Sequence, residues 1–165
     1  MKRIVVYTSK TGFTAKYAGW IAERLGCEAK ALKDVDISSL EAYDQVIYGG
    51  WIMASTVTGY DKIKPLGLKN LIIFGVGMTM NSDSAAGTVA EHNGVSADRF
   101  FYFEGGYNPK KAGLFGRMII KMIVGSIRKK EEKTPEDMHM IETASGADRT
   151  NKAAIEPLIK FAINS

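Results

Sequence analysis

Short apolar runs alternate along this chain with stretches whose apolar positions recur every three or four residues. Arg3 to Thr8, built around Ile4-Val5-Val6, is a run of strand length, as are Asp44 to Tyr48, Leu71 to Phe74 and Phe100 to Phe103; Cys27 to Leu32 is a weaker one. Between these runs the period lengthens. Thr14 to Leu25 places Tyr17, Ala18, Ile21, Ala22 and Leu25 on one helical face before Gly26, and Ala85 to Asn93 reads as a helix closed by Gly94. Strands that alternate with helices call for a parallel sheet covered on both faces, and near-continuous apolar strands agree with that. The predicted class is α/β, doubly wound over five parallel strands.

The C-terminal third is patterned differently. Gly113 to Lys130, GLFGRMIIKMIVGSIRKK, predicts a methionine-rich apolar helix with a basic end. A doubly wound sheet needs its last helices, so Met118, Ile119, Met122 and Ile123 are expected to pack on the sheet. Leu114, Phe115, Ile120, Val124 and Ile127 then form a wider apolar arc than one buried face requires. The segment is too short and too charged to span a bilayer. Thr134-Pro135-Glu136-Asp137 carries the signs of a helix start, and a last helix is predicted from Thr150 to Ile163, kinked or restarted at Pro157.

At 165 residues the chain fits one domain, 1–165, with 113–133 as an apolar and basic helical segment inside it. A hydrophobic share of 45% beside 24% charged residues excludes disorder and fibrous repeats. The single cysteine, Cys27, cannot form an internal disulfide and reads as a small buried apolar residue. Ser9-Lys10-Thr11-Gly12 interrupts the N-terminal apolar run too early for a signal peptide, so a cytoplasmic protein is expected. The net charge of +4 suggests an anionic partner or surface, with no nucleic-acid partner expected.

Candidate chemistry sits at the strand ends. The first strand ends in hydroxyls, Thr8-Ser9-Lys10-Thr11-Gly12-Phe13-Thr14, and three others run into Gly49-Gly50, Gly75-Val76-Gly77 and Gly105-Gly106. An open α/β sheet gathers its ligand at these carboxyl ends. The loop before the first helix offers free backbone N–H groups, the positive end of the helix dipole and three hydroxyls (Ser9, Thr11, Thr14), which together suit a phosphate. No G-x-x-x-x-G-K-[ST] loop is present, and Gly75-Val76-Gly77-Met78-Thr79-Met80 lacks the third glycine of a dinucleotide fingerprint.

The string T-S-K-T-G-F-T resembles the flavodoxin phosphate loop, [ST]-x-T-G-x-T. The resemblance extends over most of the chain and implies a flavodoxin-like sheet in the order 2-1-3-4-5. It further implies FMN as cofactor, with the phosphate held by Ser9, Lys10, Thr11, Gly12, Phe13 and Thr14. Gly50, Trp51, Ile52 and Met53 would flank one face of the flavin, and Gly77, Met78, Thr79 and Asn81 its other edge. Asn81 stands where the family commonly has a tyrosine, which leaves that face more open. FMN supplies the redox chemistry itself, and Gly49-Gly50 is the candidate turn for tuning its potential through a peptide group.

Electron-transfer flavodoxins are typically acidic, whereas this chain is basic, which favours an enzyme. The stretch Gly105 to Lys130, with Tyr107, Lys110, Lys111, Phe115, Arg117 and the run Met118 to Val124, resembles the menaquinone-dependent protoporphyrinogen oxidase branch of the superfamily. The loop Met78 to Asp83 lacks that branch's basic residues. The expected function is an FMN-dependent oxidoreductase acting on a porphyrinogen-type or quinone-type small molecule, with peripheral membrane contact through 107–130; the alternative is a carrier that exchanges electrons with a redox partner protein. No residue is assigned as catalytic and no metal is expected; His92 and His139 read as surface residues on helices.

Overall fold

A computed structural model describes residues 1–165. Five parallel strands form the sheet: β1 (Arg3–Thr8), β2 (Glu28–Ala31), β3 (Gln45–Met53), β5 (Leu71–Gly77) and β6 (Phe100–Glu104). A short strand, β4 (Thr56–Val57), folds back antiparallel on β3. The order is β2-β1-β3-β5-β6, so the expected order 2-1-3-4-5 holds once the β4 hairpin is set aside.

The period of two along each strand splits the core between the two faces of the sheet. Ile4, Val6, Val46, Tyr48 and Ile73 face one side, where α2 (Tyr60–Ile63) and α3 (Asp83–Asn93) cover them. Val5, Ile47, Ile72, Phe74 and Phe103 face the other, under α1 (Phe13–Leu25) and α6 (Glu156–Asn164). Helix α6 follows a one-turn 3-10 segment, Lys152–Ile155, and carries Pro157 in its first turn, so the chain restarts there rather than kinks. Cys27 is half-buried at the margin of the second cluster.

Two glycine-rich turns expected after the third and fourth strands are strand instead. Gly49 pairs with Tyr7 and Phe74, Gly50 with Thr8 and Gly75, and β5 runs on through Gly77. The reason is space: a Cβ at Gly49 would collide with the Phe74 ring, and one at Gly77 with the Tyr102 hydroxyl. The turn that follows β3 is formed by Ala54 and Ser55, both with positive φ (47° and 63°), as a two-residue hairpin of this hand requires. Gly49-Gly50 is thus a ladder-bonded pair and not a turn whose peptide is free to reorient.

The last helices also depart from expectation. Helix α4 (Gly113–Arg128) packs mainly on α5 (Pro135–Ala144). Met118, Met122 and Ile123, expected against the sheet, are exposed, and the inward face is Ile120, Val124 and Ile127, with Ile119 half-buried beside it. Helix α5 begins as predicted, with reciprocal bonds between Thr134 and Asp137. Its inward side chains are polar, namely Asp137, His139 and Thr143, while Met138 faces solvent. No helix is long and apolar enough to cross a membrane.

Candidate cofactor site

The carboxyl ends of β1, β3, β5 and β6 converge on one cleft. Helix α1 starts at its rim with Gly12 as N-cap in the left-handed region (φ 103°), a conformation natural only to glycine, and no side chain caps the helix. The free N–H groups of the first turn and the dipole's positive end are therefore left for an outside anion. Ser9 Oγ accepts the Gly12 N–H at 3.2 Å and so shapes the loop from within. Thr11 and Thr14 line the cleft, Thr14 being almost fully buried there.

Tyr17 anchors this helix. Its hydroxyl donates to the Glu104 carbonyl at 2.7 Å and accepts the Asn151 N–H at 3.1 Å, while its ring stacks on Phe103. The start of α1 is thus fixed to the end of β6. Segment 147–149 then pairs back on 105–107, with Tyr107 N–H donating to the Ala147 carbonyl and Arg149 N–H to that of Gly105.

Cations border the cradle. Lys111 Nζ lies 3.9 Å from where a Cβ on Gly12 would sit, and Lys10 Nζ stands 5.7 Å from the centre of the Trp51 ring. Lys16 is committed elsewhere, to Asp148 and Thr150. Trp51 and Ile52 form one wall, Val76, Gly77 and Met78 the next, and Gly105, Gly106 and Tyr107 the third. Trp51 is half-buried and lines the cleft rather than filling the core.

Of the residues expected at the site, Lys10, Thr11, Phe13, Thr14, Trp51, Ile52, Gly77 and Met78 line this cleft of about 120 Å³. Met53 and Thr79 line an adjoining cavity of about 810 Å³, which shares Ile52, Gly77 and Met78 with the cleft. Ser9 and Gly12 shape the cradle from behind, and Gly50 lies in the ladder beneath. Asn81 lines neither space: its N–H donates to Glu104 Oε1 at 2.7 Å. Gly105, Gly106 and Tyr107 also line the cleft and Lys111 stands beside its cradle, none of them among the residues expected there. The Gly105-Gly106 pair at a strand end was the available signal for three of them; nothing local announces Lys111, which is brought in by the chain's return after β6.

The second cavity is mainly apolar. Ile52 and Met53 come from the hairpin, Tyr102 from β6, and Ile119, Ile120 and Ile123 from α4. Tyr102 donates to the Thr79 carbonyl at 2.8 Å, and burial pushes its phenol up to about 12, so it stays neutral and holds the loop after β5. Glu104 Oε2 lies 3.5 Å from Nε2 of His139. That histidine, expected on the surface, is 7% exposed, and Nε2 makes no hydrogen bond. His92 is exposed as expected, with Nε2 3.1 Å from Thr56 Oγ1.

An uncapped helix start beneath glycine-lined strand ends, in a sheet of this order, defines the class to which the chain is similar. Residues 4–135 match the family model described as a flavodoxin domain, and the chain belongs to that family. Oxidised flavodoxin 2 from Bacillus cereus superposes with a TM-score of 0.52 at 17% identity, over 100% of both chains. A flavodoxin from the domain Archaea gives 0.47 at 15% identity, over 88% of this chain and 97% of that one. A structure described as the flavodoxin, WrbA-like protein from Agrobacterium tumefaciens gives 0.44 at 15% identity, over 88% and 94%. No curated protein matches the sequence.

Proposed function

We propose that the chain binds FMN and works as an oxidoreductase on a flat, largely apolar small molecule of the quinone or porphyrinogen type. The phosphate would be held by the backbone of 11–14 with Thr11, Thr14 and the Lys10 and Lys111 ammoniums, and the ring by Trp51, Ile52, Gly77 and Met78. These groups fit an anion with an aromatic head: donors and cations at one end of the cleft, an indole and a thioether at the other. When bound, FMN supplies the acceptance and release of electrons or hydride. The protein's share is orientation and exclusion of water.

The observation that carries the enzyme reading is the apolar cavity of about 810 Å³ that adjoins the cleft, a size suited to an organic substrate. Its floor is the cleft's own wall of Ile52, Gly77 and Met78, so a molecule seated there would lie against the place assigned to the flavin. The second reading, a carrier between redox proteins, is favoured by the full-length superposition on a flavodoxin.

Purified protein should be yellow and release FMN, not FAD, on denaturation. Thr11→Ala should weaken FMN binding about tenfold or more and leave riboflavin, which lacks the phosphate, unaffected; equal losses would contradict the cradle. Turnover with a soluble quinone separates the two readings, because a carrier gives none.

A further inference from the structure

We propose that α4 is a docking surface for an anionic lipid bilayer. Its outer side is apolar and bare: Leu114 is 85% exposed, Phe115 66%, Met118 52% and Met122 66%. On a helix that turns about 100° per residue, these four side chains fall within a stripe about 100° wide. The neighbouring strip carries Arg117, Lys121 and Arg128, and the inward one Ile120, Val124 and Ile127. Apolar stripe, basic flank and buried base thus run side by side along one 16-residue helix, the arrangement of a helix lying in a membrane interface.

Charge selects the occupant. Seven of the chain's 22 lysines and arginines, and none of its 18 acidic residues, lie between Gly105 and Lys130, so the rest of the molecule is net acidic. Lys111 of these borders the cradle and Lys130 pairs with Asp137 at 2.8 Å, which leaves Arg117, Lys121, Arg128 and Lys129 on and beside α4 without an acidic partner. A second copy docked α4 to α4 would set like charges against each other. Between α4 and α5, Arg117, Lys121 and Arg128 border a groove of about 220 Å³ floored by Ile120, Val124 and Ile141, with cations above and hydrocarbon below. Phosphodiester headgroups with acyl chains beneath match both parts of this surface at once, whereas an acidic protein would leave the protruding Leu114 and Phe115 unmatched.

The docking stands on α4 alone and does not depend on the flavin assignment. It has a consequence for the cavity, since Ile119, Ile120 and Ile123 of the same helix form that cavity's wall. A docked α4 sets the bilayer against the outside of that wall, where a lipid-soluble molecule is available.

The test is co-sedimentation of the full-length protein, as purified, with vesicles of phosphatidylcholine alone or with about a third phosphatidylglycerol. Binding at least tenfold tighter to the anionic vesicles is expected, weakening with added salt. Lys121→Gln with Arg128→Gln and Lys129→Gln should cost at least tenfold, and Leu114→Ser with Phe115→Ser should abolish binding while circular dichroism and flavin content stay unchanged. Equal binding to both vesicles, or survival of binding in the Leu114/Phe115 variant, would overturn the proposal. So would retention on immobilised polyglutamate without sedimentation by either vesicle, which would assign the surface to an acidic protein.

Discussion

Glu104 and His139 face each other across the base of the loop that follows β5, carboxylate oxygen to imidazole Nε2 at 3.5 Å, while the other Glu104 oxygen accepts the Asn81 N–H at 2.7 Å. One carboxylate thus joins the end of β6, the loop beside the cleft and the buried side of α5. Replacing Glu104 by Ala should cost about 1–3 kcal/mol, the worth of a hydrogen bond to a charged group, and speed flavin release by freeing residues 78–81. Glu104→Gln keeps an acceptor for Asn81 and should lose less than half as much. His139→Leu should be close to neutral, because Nε2 has no hydrogen bond to lose. Urea midpoints of the three variants check this, and a large loss in His139→Leu would mean that the ring's contact with Glu104 carries stability.

Ala54 and Ser55 form the hairpin turn at the edge of the large cavity, and both hold positive φ without being glycine. A left-handed residue with a Cβ carries a penalty of about 1–2 kcal/mol, partly balanced by the greater freedom of glycine in the unfolded chain. Ala54→Gly should therefore raise the stability, read from the urea midpoint, by up to about 1 kcal/mol. A fall would mean that the Ala54 methyl makes contacts in the cavity that outweigh the backbone strain.

How much of this was legible follows from where the signal lies. The five main strands and both faces of the sheet could be read because each is a local apolar run whose length and period suffice. The cradle could be read because hydroxyls and a glycine sit together in one loop. The hairpin at Ala54-Ser55 was invisible because its residues are not those that turns of this type favour. On helix α5 the start could be read, but the burial of His139 could not: its inward residues, Asp137, His139 and Thr143, are polar, and a polar residue on a helix gives no local sign of facing inward. Helix α4 gave an apolar pattern that was real, but the pattern could not say which of its two apolar stripes meets protein.

Tyr48 and Tyr102 give the fold an alkaline limit. The Tyr48 hydroxyl donates to the Thr58 carbonyl and accepts from Thr8 Oγ1, both at 2.8 Å, and burial pushes its phenol up to about 12, as it does that of Tyr102. A phenol whose pKa is raised by folding contributes stability that is complete below its ordinary value near 10 and is lost as pH rises through about 12. The urea midpoint should accordingly be flat up to about pH 10 and fall between there and 12. In the Tyr48→Phe, Tyr102→Phe double variant the fall should be shallower, from a lower starting stability. An unchanged slope would place the alkaline loss elsewhere.

The sequence suggests a turn at Gly49, which is instead a site of close packing, a distinction that mutation can test. A Cβ there would enter the space of the Phe74 ring from the adjoining strand, and Phe74 is fully buried between α1 and α6. Gly49→Ala should therefore destabilise by about 3 kcal/mol or more, as overpacking against a confined aromatic does. Phe74→Leu alone should cost about 1–2 kcal/mol in lost packing. If the collision is the cause, the double variant should be more stable than the sum of the two losses allows, by about 1 kcal/mol or more. If Gly49 were needed for backbone freedom, the two losses would simply add, since trimming the ring does nothing for φ. The same pair separates packing from redox function: in protein that still folds, the double variant should retain its flavin potential, because a ladder-bonded glycine has no peptide rotation to lose.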